Sequence, residues 1–330
     1  MRTQMPSRVG SWGGLLAVLG TLALGLSLAG CQTGPGKAKQ YVEQGRDALE
    51  KGLTESALQA FTLAIEENPR LTEAHMGVGD VHRQRGDYES ASEAYEEATR
   101  LQPESFDAHY YLGLMQQLLG RVSEAVRSYL KALTIDADNF DANKNLASAY
   151  LQLGRPSDAL PYAERAVYLN PQSQVAWANL AATQSLLNQY DKAVDSYRQA
   201  TELGEYAEPV LLGLADAHIR LGNYERAMIT LESLIRAQGS ATAYERLGYA
   251  QFKLRRFTES LASFRSAVEM DPDDPASLNG LGVCLMTLYI QGGRTDATQR
   301  DDALDAWRKS LQLKADQPRI LDLLSRYQRL

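Results

Sequence analysis

The sequence predicts an all-α solenoid of stacked helix pairs, and three observations carry that reading. The first is a column of alanines, Ala57, Ala91, Ala125, Ala159, Ala193 and Ala227, spaced by 34 residues without slippage. A fixed period of this size marks one supersecondary unit repeated along a line. The second is that other columns keep the same step: Ala64, Ala98, Ala132, Ala166 and Ala200; Phe61, Tyr95, Tyr129 and Tyr197, with Ala163 between; and Gly45, Gly79, Gly113, Ala147, Ala181 and Ala215. The third is the pattern inside a unit. In residues 72–105, Met76, Val78, Gly79 and His82 mark a first helix, Gly86-Asp87-Tyr88 a turn, and Ala91, Ala94, Tyr95 and Ala98 a second helix that Pro103 ends. Pro69, Pro171 and Pro272 close other units in the same way. One such pair cannot bury both its faces, so it must stack on its neighbours.

In chain order, residues 1–30 stand apart from the array. Arg2 and Arg8 precede an apolar or small stretch from Trp12 to Leu28 with no acidic residue, the layout of an export signal. On length alone that stretch could also serve as a membrane anchor, since roughly 17 to 20 apolar residues cross a bilayer. Leu28-Ala29-Gly30-Cys31 resembles the lipobox of bacterial lipoproteins. The resemblance implies cleavage before Cys31 and covalent diacylglycerol and fatty acyl chains on that residue, and no other cofactor. Gln32 stands where an Asp would retain such a protein in the inner membrane of a Gram-negative cell, which implies the outer membrane, facing the periplasm. Residues 31–37 read as a short polar tether without helical periodicity. Losing Arg2 and Arg8 leaves 32 basic against 41 acidic residues, a net charge of -9 that anionic headgroups repel. Membrane attachment therefore depends on the acyl chains.

The recurring Leu-Gly, Ala, aromatic, Ala and Pro resembles the tetratricopeptide repeat. That resemblance implies a right-handed superhelix, with eight repeats over residues 38–313 starting at 38, 72, 106, 140, 174, 208, 241 and 275. In the last repeat Ala303 and Trp307 arrive nine residues late, which predicts a loop insertion at about 290–299. Ile320, Leu323, Leu324 and Tyr327 then line one face of a capping helix within 316–330, leaving Arg319, Arg326 and Arg329 to solvent.

Composition narrows the function. A net charge of -7 argues against a basic field for nucleic acid, and two cysteines cannot build a disulfide framework. Four histidines leave little for a metal centre, and His75 and His109 share one repeat position while His82 and His218 share another, which reads as packing. Ser128-Tyr129-Leu130-Lys131 matches the Ser-x-x-Lys of penicillin-binding enzymes but falls inside a repeat helix without a Lys-Thr-Gly partner. Residues 136–141 are similar to a calcium loop but lack its glycine and its closing glutamate. Cys284 reads as a small core residue. No catalytic residue and no metal ligand is expected.

In the tetratricopeptide family, positions two, five, nine and twelve of the first helix line a concave face where peptides or partner helices dock. Carried onto this chain, that face includes Glu73, Met76, Asp80 and Arg83; Tyr110, Leu114 and Gln117; Lys144 and Ser148; and Glu245, Tyr249 and Phe252. Tyr110, Tyr249 and Phe252 either anchor a partner or pack between helices. Of the carboxylate clamp found in some members, Lys144 and Asn179 match, whereas Ser148, Pro209 and Gly213 occupy the other places. Asn145 and Asn179 form two rungs of the asparagine ladder by which some members grip a peptide backbone. The expectation is a lipid-anchored scaffold that binds a protein or peptide segment, similar in layout to lipoproteins that help assemble pilus or secretion components. Two other readings stand beside it: a regulator of peptidoglycan or polysaccharide enzymes, and a hydrolase built on Arg294, Asp296, Arg300 and Asp301 in the 290–301 loop.

Overall fold

Residues 34–204 and 207–328 are described by the structure, a computed structural model, and they contain helices and turns but no strand. The expected signal peptide, Leu28, Ala29, Gly30, Cys31 and Gln32 lie outside the described residues. The first pairs are α1 (Gly34–Glu50) with α2 (Thr54–Glu67), α3 (Thr72–Gln84) with α4 (Tyr88–Leu101), α5 (Phe106–Leu118) with α6 (Val122–Ile135), and α7 (Phe140–Gln152) with α8 (Pro156–Leu169). The series continues as α9 (Gln174–Leu186) with α10 (Tyr190–Leu203), α11 (Glu208–Arg220) with α12 (Tyr224–Ala237), α13 (Ala241–Lys253) with α14 (Phe257–Met270), and α15 (Pro275–Gln291) with α16 (Ala297–Leu313). A single helix, α17 (Pro318–Tyr327), follows.

Each helix packs on its neighbours in sequence. Consecutive odd-numbered helices also touch, α1 on α3 and every such pair from α5 to α15, whereas among the described residues no two even-numbered helices make comparable contact. Helices approach in that way on the inner side of a curved stack, so the odd-numbered helices form the concave layer.

The residue columns are the seams of this stack. Ala57, Ala91, Ala125, Ala159, Ala193 and Ala227 are fully buried, because a lone methyl lets two backbones come close. The aromatic column fills the space beside them and needs a residue without a side chain opposite. A Cβ placed on Gly280 would stand 2.1 Å from Phe264 Cε1, and one on Gly248 would stand 2.9 Å from the same ring. Gly280→Ala is therefore expected to cost about 1–3 kcal/mol through overpacking, read as a lower denaturant midpoint; an unchanged midpoint would mean that the ring has room. Turn chemistry agrees with the pattern. Gly86, at φ 76°, closes the α3–α4 turn, and Asp87 then caps α4 by accepting the Ser90 amide at 3.2 Å.

Three elements differ from the sequence expectation. Helix α1 begins at Gly34, so residues 34–37 of the expected tether are helical and the first repeat starts earlier than 38. Tertiary contacts extend it: Ala38 is fully buried, Lys37 pairs with Glu67 of α2, and its ammonium lies 5.7 Å over the Tyr41 ring. The insertion expected at about 290–299 is half helical. Helices α15 and α16 have 17 residues each, against 13 and 14 in α3 and α4, and the connection shrinks to residues 292–296. The added turn of α15 continues the apolar face, with Tyr289 buried, and Asp296 caps α16 by accepting the Gln299 amide. The capping helix is shorter than 316–330: α17 is ten residues long, and Arg329 lies outside the described residues. Ile320 is buried with Trp307 and Leu285, Leu323, Leu324 and Tyr327 pack against that cluster, and Arg319 and Arg326 are exposed. No described helix is long and apolar enough to cross a membrane.

Candidate partner-binding groove

Two columns of polar residues brace the concave helices. At the fourth repeat position, His75, His109, Asn143 and Trp177 each direct a side-chain nitrogen at the carbonyl six residues earlier, on Pro69, Pro103, Ala137 and Pro171, at 2.9–3.0 Å. A carbonyl only accepts, so both histidine rings carry the proton on Nε2. The packing role expected of His75 and His109 takes a polar form here, in which they pin the turn between repeats. At the eleventh position Gln116, Gln184 and Gln251 accept from Ser128, Ser196 and Ser263, each at 2.7 Å. Ser128 of the Ser-x-x-Lys fragment is therefore buried and committed to Gln116.

From α3 to α9 the expected groove residues form one chain of contacts. Asp80 accepts from the Tyr95 hydroxyl at 2.7 Å and from Arg83 at 3.1 Å, and the Arg83 guanidinium lies 5.2 Å over the Tyr111 ring. Met76 and Leu114 pack with Tyr111 against buried Tyr95 and Met115. Tyr110 stacks on Phe106 at 5.8 Å, meets Tyr111 edge-on at 5.1 Å and accepts from Asn145 Nδ2 at 3.2 Å. Burial, with the Asp141 charge, pushes its hydroxyl up to about 12. Asn179 donates to the Lys144 carbonyl at 3.5 Å, while the Lys144 ammonium pairs with Asp141 and lies over the Phe140 ring. Gln117 accepts from the Tyr129 hydroxyl at 3.0 Å, and Glu73 is exposed. Most of these groups are thus engaged with one another.

The other expected residues lie at the opposite end. Glu245, Tyr249 and Phe252 of α13 face α15 and α17 across an open groove of about 670 Å³. Ala276, Asn279, Val283 and Met286 of α15 supply one wall, and Ile320, Leu323 and Tyr327 of α17 supply another. The four α15 residues hold positions two, five, nine and twelve of the eighth repeat, so carrying the family rule one unit further would have found them. Nothing in the repeat register points to the α17 wall. Tyr249 is 38% exposed and meets Tyr224 edge-on, whereas Phe252 is half-buried against Phe257 at 5.2 Å. A second hollow of about 560 Å³ adjoins this one, shares Glu245 and Tyr249, and includes Asp216 and Arg246. Arg246 Nε donates to Asp216 at 2.6 Å, with its Nη1 3.5 Å from Glu245. Burial raises the pKa of Glu245; Arg246 opposes the shift, and Asp274 and Asp216 add to it.

The residues weighed for chemistry have other roles here. Asn139 caps α7, and Asp136 accepts the Asp138 amide, which explains the calcium-like run. Cys284 is buried 3.0 Å from Ser260 Oγ, and burial pushes its thiol up to about 11. His218 is buried and its pKa is lowered, by burial first and then by Arg226 and Arg198. Arg294 is exposed, Asp296 caps a helix, and Arg300 pairs with its neighbour Asp301, so the four residues do not converge on a cleft. Among the described residues no group of three or more His, Cys, Asp or Glu is placed to hold a metal ion.

Family profiles described as TPR repeat match residues 79–120 and 118–154, and profiles described as tetratricopeptide repeat match 42–91, 187–242, 212–275, 245–288, 162–195 and 141–173. Among solved structures, a tetratricopeptide repeat protein from Parabacteroides merdae shares 18% identity at a TM-score of 0.52, over 76% of this chain and 99% of its own. The pilF protein of Pseudomonas aeruginosa shares 22% identity at 0.53, over 63% of this chain and 96% of its own. The Cut9-Hcn1 hetero-tetramer of the APC/C shares 16% identity at 0.54, over 88% of this chain and 54% of the matched one. At these identities the likeness is one of fold. No curated protein matches the sequence.

Proposed function

The chain belongs to the tetratricopeptide repeat family, and we propose that it is a lipid-anchored, non-enzymatic scaffold whose concave face holds a segment of a partner protein. The observation that carries this reading is the open groove between α13, α15 and α17, with the exposed ring of Tyr249 at its edge. A rigid aromatic beside an unfilled hollow loses water on binding and contributes heavily to affinity. The acyl chains on Cys31 hold the scaffold at the membrane, and Gln32 directs it to the outer membrane of a Gram-negative cell, facing the periplasm. A lipobox ahead of tandem repeats supports a role in assembling a cell-envelope complex of the pilus or secretion type.

Photo-crosslinkers at Tyr110 and Tyr249 test the reading in living cells. Each is expected to give a covalent adduct with a protein. Adducts formed only from a position on the even-numbered layer, such as Ile229 of α12, would overturn it.

A further inference from the structure

We propose that the groove at the C-terminal end selects a partner segment with a basic side chain beside an apolar one, and that Glu245 receives the basic group. The inference rests on the concave-face reading above and assigns the chemistry of the occupant.

Glu245 has a side chain 22% exposed and faces both hollows. Among the described residues its carboxylate accepts no hydrogen bond. The nearest cation, Arg246 Nη1, stands 3.5 Å away, and the same guanidinium is held by Asp216 through Nε at 2.6 Å. Asp274 adds a third carboxylate to the field at this place, and it is occupied in capping α15 through the amides of Ala276 and Ser277. Around Glu245 itself, three carboxylates stand against the single guanidinium of Arg246. A half-buried carboxylate without a donor is costly, and an ammonium or guanidinium from a ligand supplies the missing charge-assisted bonds.

Beside it Tyr249, Phe252, Val283 and Met286 offer an apolar wall to a neighbouring side chain. Of the other cations lining the two hollows, Lys253 lies 5.3 Å over the Tyr249 ring, Arg220 lies 5.9 Å over the Tyr190 ring, and Arg319 is exposed on α17. A terminal carboxylate would meet the Glu245 charge and is a disfavoured occupant there.

The test uses the full-length chain in detergent, panned against a display library of short random peptides, alongside Glu245→Gln, which keeps the size of the side chain. Wild-type selection is expected to enrich Lys or Arg next to Leu, Ile, Phe or Met. The best selected peptide should bind Glu245→Gln about tenfold more weakly by fluorescence anisotropy, with an unchanged melting curve. Enrichment of acidic residues or of a free carboxyl end, or the same selection with both proteins, would overturn the proposal. Crosslinking from Tyr110 and Tyr249 separates the two failures. If those adducts persist while Glu245→Gln changes nothing, the concave-face reading stands and the assignment of its chemistry falls; if they are absent, both fall.

Discussion

Trp307→Ala is expected to cost about 3–5 kcal/mol, the range for truncating a large buried aromatic. Trp307 is 1% exposed and is the largest of the fully buried side chains. Its indole nitrogen stands 3.4 Å from the Asn279 carbonyl, its ring lies 6.3 Å from that of Tyr327, and it packs with Leu285, Tyr289 and Ile320. It is therefore the post on which α15, α16 and α17 meet. In a linear array, stability is a sum of unit and interface terms, so the loss should stay local. Hydrogen exchange is expected to quicken in α15–α17 and to stay unchanged in α1–α8. Crosslinking from Tyr249 should fall while that from Tyr110 persists. A uniform loss of protection along the chain would refute a local role for this residue.

Cys31→Ser is expected to abolish acyl labelling altogether and to leave an unprocessed or released chain. The lipid chemistry requires the cysteine sulfur, which serine lacks. On the proposed processing before Cys31, the remaining net charge of -9 gives a chain without lipid no attraction to anionic headgroups. Labelling with a fatty-acid analogue, followed by fractionation of the cells, reads both effects. A Cys31→Ser variant that is still labelled, or still membrane-bound at its mature size, would remove the lipoprotein reading and leave the repeat scaffold untouched.

The repeat architecture was legible because each column reports one contact made many times. Ala57 and its equivalents recur at 34 because the same two backbones approach in every unit, and α3, α5, α7, α9, α11, α13 and α15 begin at the residues from which that register counts. Of the bracing column, the sequence reading reached only His75 and His109, as packing residues. His75, His109, Asn143 and Trp177 differ in size and hydropathy, and what they share is an N–H donor aimed at a turn carbonyl. The extra length of the eighth repeat was legible too, but its form was not. Whether added residues loop out or lengthen two helices depends on whether Tyr289 finds a core to enter, and α16 and α17 provide that core.

The sequence by itself determined the period and the helix pairs, and the repeat register marked the odd-numbered helices as the concave layer. The tertiary structure alone decided which groups on that layer remain free. Asn145 and Asn179 are alike in the repeat register, yet they are bonded to Tyr110 and to the Lys144 carbonyl. Glu245, at position five of the seventh repeat, accepts no hydrogen bond among the described residues, and Tyr249 is left open beside a wall that α17 completes. The physical reason is that a repeat period encodes contacts between neighbouring units, which are the same every time. Freedom in the groove depends on where side chains from α13, α15 and α17 meet, and that meeting occurs once.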